Sequence, residues 1–176
     1  VLTQDSQIDW EKTKTEVELP NHEKAVEILV KELLDRHIVE SLDEIKGIGH
    51  RTVHGGDKFN SSVLIDEEVM EKLQELIPLA PLHNPAGITG IRAFEKMISN
   101  AKAVAVFDTA FHQTMPKENY LYSVPMEWYE KYGVRKYGFH GTSHKYVSQR
   151  MNEILGRTDT KIITCHIGSG GSISAV

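Results

Sequence analysis

The sequence predicts an α/β fold, and three observations carry that prediction. The run "AVAVF", Ala103 to Phe107, is a continuous stretch of small apolar residues of strand length lying between two segments with helical spacing. A strand covered on both faces has this pattern in a largely parallel sheet. Helix-period and strand-period segments alternate along the chain instead of segregating into blocks. Glycines, prolines and polar residues gather where the strands should end, and the apolar run closes on Asp108, where an open α/β sheet faces its ligand crevice.

Taken in order, residues 1–20 are polar, with an alternation from Thr15 to Leu19 that fits an edge strand. Pro20-Asn21 opens a helix. Ala25, Val26, Ile28, Leu29, Leu33 and Leu34 recur at helical spacing, Asn21 is the expected N-cap, and the helix should run to about His37. Ser41 to Glu44 has capping-box spacing with little room before Gly47. "IGHRTVH", Ile48 to His54, should be a strand running into the Gly55-Gly56 break. Asp66 should cap an amphipathic helix through Val69, Met70, Leu73, Leu76 and Ile77 that Pro78 ends. Asn84 followed by Pro85 predicts another N-cap with proline at the first helical position, leaving His83 just outside a helix N-terminus suited to anions.

Beyond Asp108 the sheet pattern pauses, and a domain junction is expected between Asp108 and Thr114. Pro125 to Tyr132 should be a short helix closed by Gly133. Thr142 or Ser143 should cap a longer helix through Tyr146, Val147, Met151, Ile154 and Leu155, stopped by Gly156. "KIITCHIGSGGSISAV" has the form strand, glycine turn, strand.

Composition narrows the function class. The 176 residues are 40% hydrophobic, enough for a substantial core, and no apolar run approaches a membrane span. A net charge of −5 with both signs interspersed argues against a nucleic-acid platform. The single cysteine, Cys165, leaves no internal disulfide or multi-thiolate zinc site and fits a reducing, cytoplasmic location. The chain opens on Val1 without an initiator Met and stops at Val176 inside a predicted strand, so a fragment is expected.

Most of the nine histidines sit beside glycines, prolines, strand ends or helix starts: His50, His54, His83, His112, His140, His144 and His166. His50 with His54, and His140 with His144, have spacings that could serve zinc, although there is no HExxH and no cysteine pair. An anion site uses more of the residues at once. Arg51 precedes two glycines, His83 and His140 each precede a helix start, and Gly168 to Gly171 make a glycine-rich turn. Arginine offers a planar fork, imidazoles donate hydrogen bonds, and glycines expose amides to phosphate oxygens. Neither a P-loop nor a dinucleotide fingerprint is present.

"GHRTVHGGDKF", "APLHNPAGITGI", "VAVFDTAFHQTMP", "YGFHGTSHKYV" and "CHIGSGGSISAV" occur in the order and near the spacings of the acetate kinases. Along almost its whole length the chain resembles that family, a member of the acetate and sugar kinase, Hsp70 and actin superfamily.

The resemblance implies a ribonuclease H-like, two-domain fold with an interdomain cleft. Residues 1–110 would be most of the first, acyl-substrate domain without its initial strand and phosphate loop. Residues 111–176 would open the second, nucleotide-binding and dimerising domain. It implies reversible phosphoryl transfer from ATP to acetate with Mg²⁺, in a cytoplasmic homodimer with no nucleic-acid or membrane partner. Propionate kinase is the alternative within the family, with Val53 favouring acetate. A histidine-zinc hydrolase and a non-catalytic scaffold are the alternatives outside it.

Position by position, Arg51 matches the arginine that holds acetate or acetyl phosphate, and Val53, Leu82 and Phe139 match the wall of the methyl pocket. Asp108 matches the essential aspartate, His140 the transition-state stabiliser and His83 an auxiliary histidine. His166, Ile167, Gly168, Ser169 and Gly170 match the turn that touches the ATP phosphates, with Ser169 where the family usually has Asn. The remaining catalytic parts, including the direct metal ligands, are expected outside residues 1–176, so the chain alone is expected to be inactive.

Overall fold

The computed structural model describes residues 16–176. Its order is α1 (His22–Asp35), β1 (Gly47–Thr52), β2 (Val63–Leu64), α2 (Glu67–Glu75), α3 (Asn84–Met97), β3 (Lys102–Phe107), α4 (Lys117–Tyr120), α5 (Met126–Tyr132), α6 (Gly141–Leu155), β4 (Ile163–Ile167) and β5 (Gly171–Ala175), with short 3-10 turns between several of them.

β3, the apolar run, is the centre of a three-stranded sheet in the order β1-β3-β2. It pairs in parallel with β1, Gly47 opposite Lys102 through Thr52 opposite Phe107, and antiparallel with β2. Parallel neighbours need a long crossover, and the chain between Thr52 and Lys102 supplies it with α2 and α3. Alternate β3 residues Ala105 and Phe107 enter a core with Phe59, Met70, Leu73, Leu76 and Ile91, where Phe59 and Phe107 stack with centroids 4.5 Å apart. A second cluster joins Val26 and Val30 of α1 to Ala93 of α3 and Ile98. β4 and β5 form a separate antiparallel hairpin, with Thr164 opposite Ser174 and His166 opposite Ser172, and α6 packs against β4. Among the described residues no helix is long and apolar enough to cross a membrane.

Most caps fall where local chemistry puts them. Asn21 accepts from the Lys24 amide, Asp66 from the Val69 amide, and Ser41 with Glu44 forms a capping box. Gly133 and Gly156 end their helices with left-handed backbone.

Four expectations need correction. Glu16 to Leu19 form no strand, and Thr15 lies outside the described residues. β1 stops at Thr52, because the chain turns at Val53 to bring its loop onto α3. Asn84 is not a cap: it is the first residue of α3 and 2% exposed, and its amide is held inward by the His54 backbone and the Leu76 carbonyl. Neither Thr142 nor Ser143 caps α6, whose N-cap is His140.

Leu73 is 1% exposed in the first core cluster. Leu73→Ala should cost about 2–5 kcal/mol of stability in urea unfolding. A loss below about 1 kcal/mol would contradict this packing.

Candidate active site

Asp108 immediately follows β3, beside the end of β1 that carries Arg51. Arg51 donates from Nε to Asp108 Oδ1 at 3.0 Å and from Nη2 to Oδ2 at 2.6 Å. The pair is asymmetric: the Asp108 side chain is 3% exposed and that of Arg51 67%. Asp108 therefore fixes the plane of the guanidinium while Nη1 and one Nη2 hydrogen remain for a ligand. Hydrogen bonding to Asp108 and its negative charge push the Arg51 pKa still higher, so this cation is permanent.

Neighbouring residues lock the loops around this pair. Thr109 Oγ1 accepts from the Gly55 amide at 3.0 Å, and Gln113 Nε2 donates to the Gly56 carbonyl at 2.7 Å. Gly55 lies so close to the Phe107 ring that a Cβ there would collide with it. His54 is buried and accepts from the Gly56 amide through Nδ1 at 2.9 Å, which places its own proton on Nε2. Its ring meets Tyr137 and Phe139 edge to face at 4.5 and 5.5 Å, setting two aromatic walls of the cleft.

His140 is held in left-handed backbone, φ 55° and ψ 27°, a conformation that costs a non-glycine residue on the order of 1–3 kcal/mol and persists where its surroundings over-determine it. The neighbours on both sides do so. The Gly141 amide donates to the Asp108 carbonyl at 2.9 Å, and a Cβ on Gly141 would collide with that oxygen. Before it, His112 Nε2 donates to the Phe139 carbonyl at 2.9 Å, with Gly138 lying directly on the His112 ring. The His140 carbonyl accepts from the His144 amide, starting α6, and its ring stacks on His166 at 4.1 Å. His166 Nδ1 lies 3.0 Å from Ser143 Oγ.

These elements enclose a cleft of about 1510 Å³. It brings together Arg51, Val53, Leu82, His83, Asp108, Phe139, His140, His166, Ser169 and Gly170, all expected from the sequence. Leu82, 85% exposed, stands at its mouth. Two expected members fall outside the lining. Ile167 shares the outward face of β4 with Ile163 and Cys165 and is 77% exposed, because a strand alternates its side chains and His166 takes the inward position. Gly168 donates its amide to the Gly170 carbonyl at 3.0 Å, so that donor is engaged within the turn.

The sequence reading missed Tyr137, Thr142, Ser143, Tyr146 and Ser172, which also line the cleft. The first turn of α6 was legible as a helix start but read as capping, and Ser172 was hidden within a glycine-serine turn. Period-two alternation from His166 across the hairpin would have placed Ser172 inward.

The histidine spacings do not build a zinc site. The His50 ring packs on Phe94, His54 serves Gly56, and His140 and His144 meet through Ser172. Among the described residues no group of three or more His, Cys, Asp or Glu is gathered to hold a metal ion.

The sequence profile of the Acetokinase family matches residues 3–176. Acetate kinases of Anoxybacillus flavithermus and Bacillus cereus are 56% and 58% identical to the chain over 171 residues, covering 96% of it. The chain spans about 43% of the length of these curated relatives. Among solved structures, the Porphyromonas gingivalis acetate kinase superposes with a TM-score of 0.85 at 52% identity, covering 91% of this chain and 41% of that one. A propionate kinase from Francisella tularensis gives 0.82 at 47% identity, covering 88% and 39%. The fold is therefore the α/β fold of these kinases, within the superfamily the motifs implied.

Burial lowers the pKa of His50, His54 and His144, with the imidazoles of His112, His140 and His166 adding to the effect on His144. The unfolded chain protonates these residues near pH 6.5 while the folded chain resists, so their contribution is full above that pH and is lost as pH falls towards the folded values. The urea midpoint should drop between about pH 7 and pH 5, and His54→Gln should flatten the drop. A midpoint that holds or rises over that interval would contradict the buried neutral histidines.

Proposed function

Because the chain belongs to the acetokinase family, we propose that the protein it represents transfers the γ-phosphoryl group of ATP reversibly to acetate, giving acetyl phosphate and ADP. The observation that carries this reading is the convergence of Arg51, Asp108, His140 and the first turn of α6 on one cleft with an apolar wall.

An ionised carboxylate attacking phosphorus has no proton to lose, so no strong general base is required. One acetate oxygen forms the new O–P bond as the bond from the γ-phosphorus to the β-phosphate oxygen breaks, and ADP leaves with that electron pair. What the protein supplies is alignment and donors around the transferred group.

The free edge of the Arg51 guanidinium suits the acetate carboxylate or the phosphoryl oxygens, oriented by Asp108. His140 suits an equatorial oxygen of the transferred group. With the Gly141 amide given to Asp108, the Thr142 and Ser143 amides carry the positive end of a 15-residue helix into the cleft that Gly170 and Gly171 also line, where the glycines leave room for phosphate oxygens. Val53, Leu82 and Phe139 suit the methyl group. Magnesium bound to the nucleotide would neutralise phosphate charge. It needs few protein ligands, and Asp108 is the cleft carboxylate among the described residues that could order its water shell.

The same proposal divides the chain near Asp108 to Thr114 into an acyl-binding part and the start of a nucleotide-binding, dimerising part of a cytoplasmic enzyme. It assigns the remaining nucleotide and metal contacts to residues outside this chain. Propionate is the second substrate to consider, because a propionate kinase is among the structural neighbours.

The full-length enzyme should form acetyl phosphate from acetate, ATP and Mg²⁺, detected as the hydroxamate, and residues 1–176 alone should not. Arg51→Ala should lower its kcat/KM by about 10²–10³-fold, the scale of losing one preorganised donor. No acetyl phosphate, or no loss in the variant, would refute the reading. Val53→Ala should move the ratio of kcat/KM for propionate over acetate upward by roughly 10-fold, the scale of one methylene in an apolar pocket. An unchanged ratio would remove Val53 from the pocket wall.

A further inference from the structure

From Ser172 in the cleft wall inward runs a line of polar side chains that the transfer scheme leaves without a task. Ser172 Oγ lies 2.8 Å from His140 Nδ1 and 2.7 Å from His144 Nε2. His144 is 1% exposed, and its Nδ1 lies 2.7 Å from Oγ1 of Thr164, itself 2% exposed. Residues from α6, β4 and β5 thus form one hydrogen-bonded chain from the interior to His140. The nitrogen of His140 that this chain leaves over is Nε2, beside Gly170, where a Cβ would stand 3.6 Å away.

We infer that Ser172 and His144 are positioning residues that hold His140 with its proton on Nε2, so that the ring already offers an N–H to the phosphoryl group. This rests on the phosphoryl-transfer reading of the cleft.

The direction of the chain follows from proton counting. A hydroxyl has one proton to give, and a neutral imidazole has one donor and one acceptor nitrogen. Thr164 Oγ1 has two acceptors in reach, His144 Nδ1 at 2.7 Å and the Ser174 carbonyl at 3.4 Å. The second distance is too long for a strong bond, so the proton goes to His144. Burial and the surrounding imidazoles keep His144 neutral. Accepting at Nδ1, it must carry its own proton on Nε2 and donate to Ser172. Ser172 then gives its hydroxyl proton to His140 Nδ1, which leaves the His140 proton on Nε2. A donor fixed in this way is preorganised before substrate arrives.

Two measurements test the relay. In protein labelled with ¹⁵N-histidine, the ring ¹⁵N–¹H correlation spectrum at about pH 8, where unperturbed imidazole is neutral, should show both His140 and His144 protonated on Nε2, with His140→Gln assigning the His140 signal. A proton on Nδ1 of His140 overturns the inference. In the full-length enzyme, Ser172→Ala should lower kcat roughly 10- to 100-fold, by analogy with the loss when the partner that orients a metal-ligating histidine is removed. KM for acetate should change by less than about twofold, because a donor to the transferred group acts mainly in the transition state, and Ser172→Thr should restore most of the rate. An unchanged kcat in Ser172→Ala, or no recovery in Ser172→Thr, counts against it. Should Ser172→Ala fail to fold, the ring spectrum of the unsubstituted protein still decides. Should that protein make no acetyl phosphate, the kinase reading falls while the spectrum judges the relay on its own.

Discussion

One backbone hydrogen bond, from the Gly141 amide to the Asp108 carbonyl at 2.9 Å, ties the two halves of the cleft together. Asp108 uses both ends of itself. Its carboxylate orients Arg51 from the parallel neighbour strand, and its carbonyl receives the first amide of α6. Only glycine can stand at position 141, because any Cβ would collide with the oxygen that accepts the bond. Through that contact the central strand of one sheet sets where the helix packed on the other begins, and so where His140 stands relative to Arg51.

The chemistry of the cleft follows from that placement. A buried carboxylate without a partner would be costly in this setting, and the guanidinium removes the cost while keeping a charged edge for ligand. Around it stand donors whose state does not depend on pH near neutrality: a permanent cation and the backbone amides of Thr142 and Ser143. Such groups suit a reaction in which charge is redistributed over phosphoryl oxygens and no proton need move. The strained backbone of His140 belongs to the same design, since His112, Gly138 and Gly141 hold it from both sides.

Much of this was legible in the sequence, for reasons that are local. The apolar run before Asp108, the Asn21 and Asp66 caps, and the helix-ending glycines 133 and 156 each express a short-range rule, and each appears in the structure. The misses have a common cause in long-range contacts. Asn84 has every local mark of an N-cap, yet its amide is recruited across 30 positions by the His54 backbone. Thr142 and Ser143 look like caps because the true N-cap is a histidine in left-handed backbone, a choice that depends on Asp108 and His112. Ile167 and Gly168 were carried into the site by their neighbours in a motif, whereas strand alternation turns one outward and the turn engages the amide of the other. The motifs identified the family; they could not reveal that Ser172 bridges two imidazoles.

The central claim is that the junction of Asp108 with Gly141 is as firm as the sheet it extends. Native-state hydrogen exchange of the Gly141 amide tests this most directly. The account predicts protection comparable to that of Ala105, the fully buried residue at the centre of β3. Exchange of Gly141 at the rate of an unstructured peptide, while Ala105 stays protected, would contradict it.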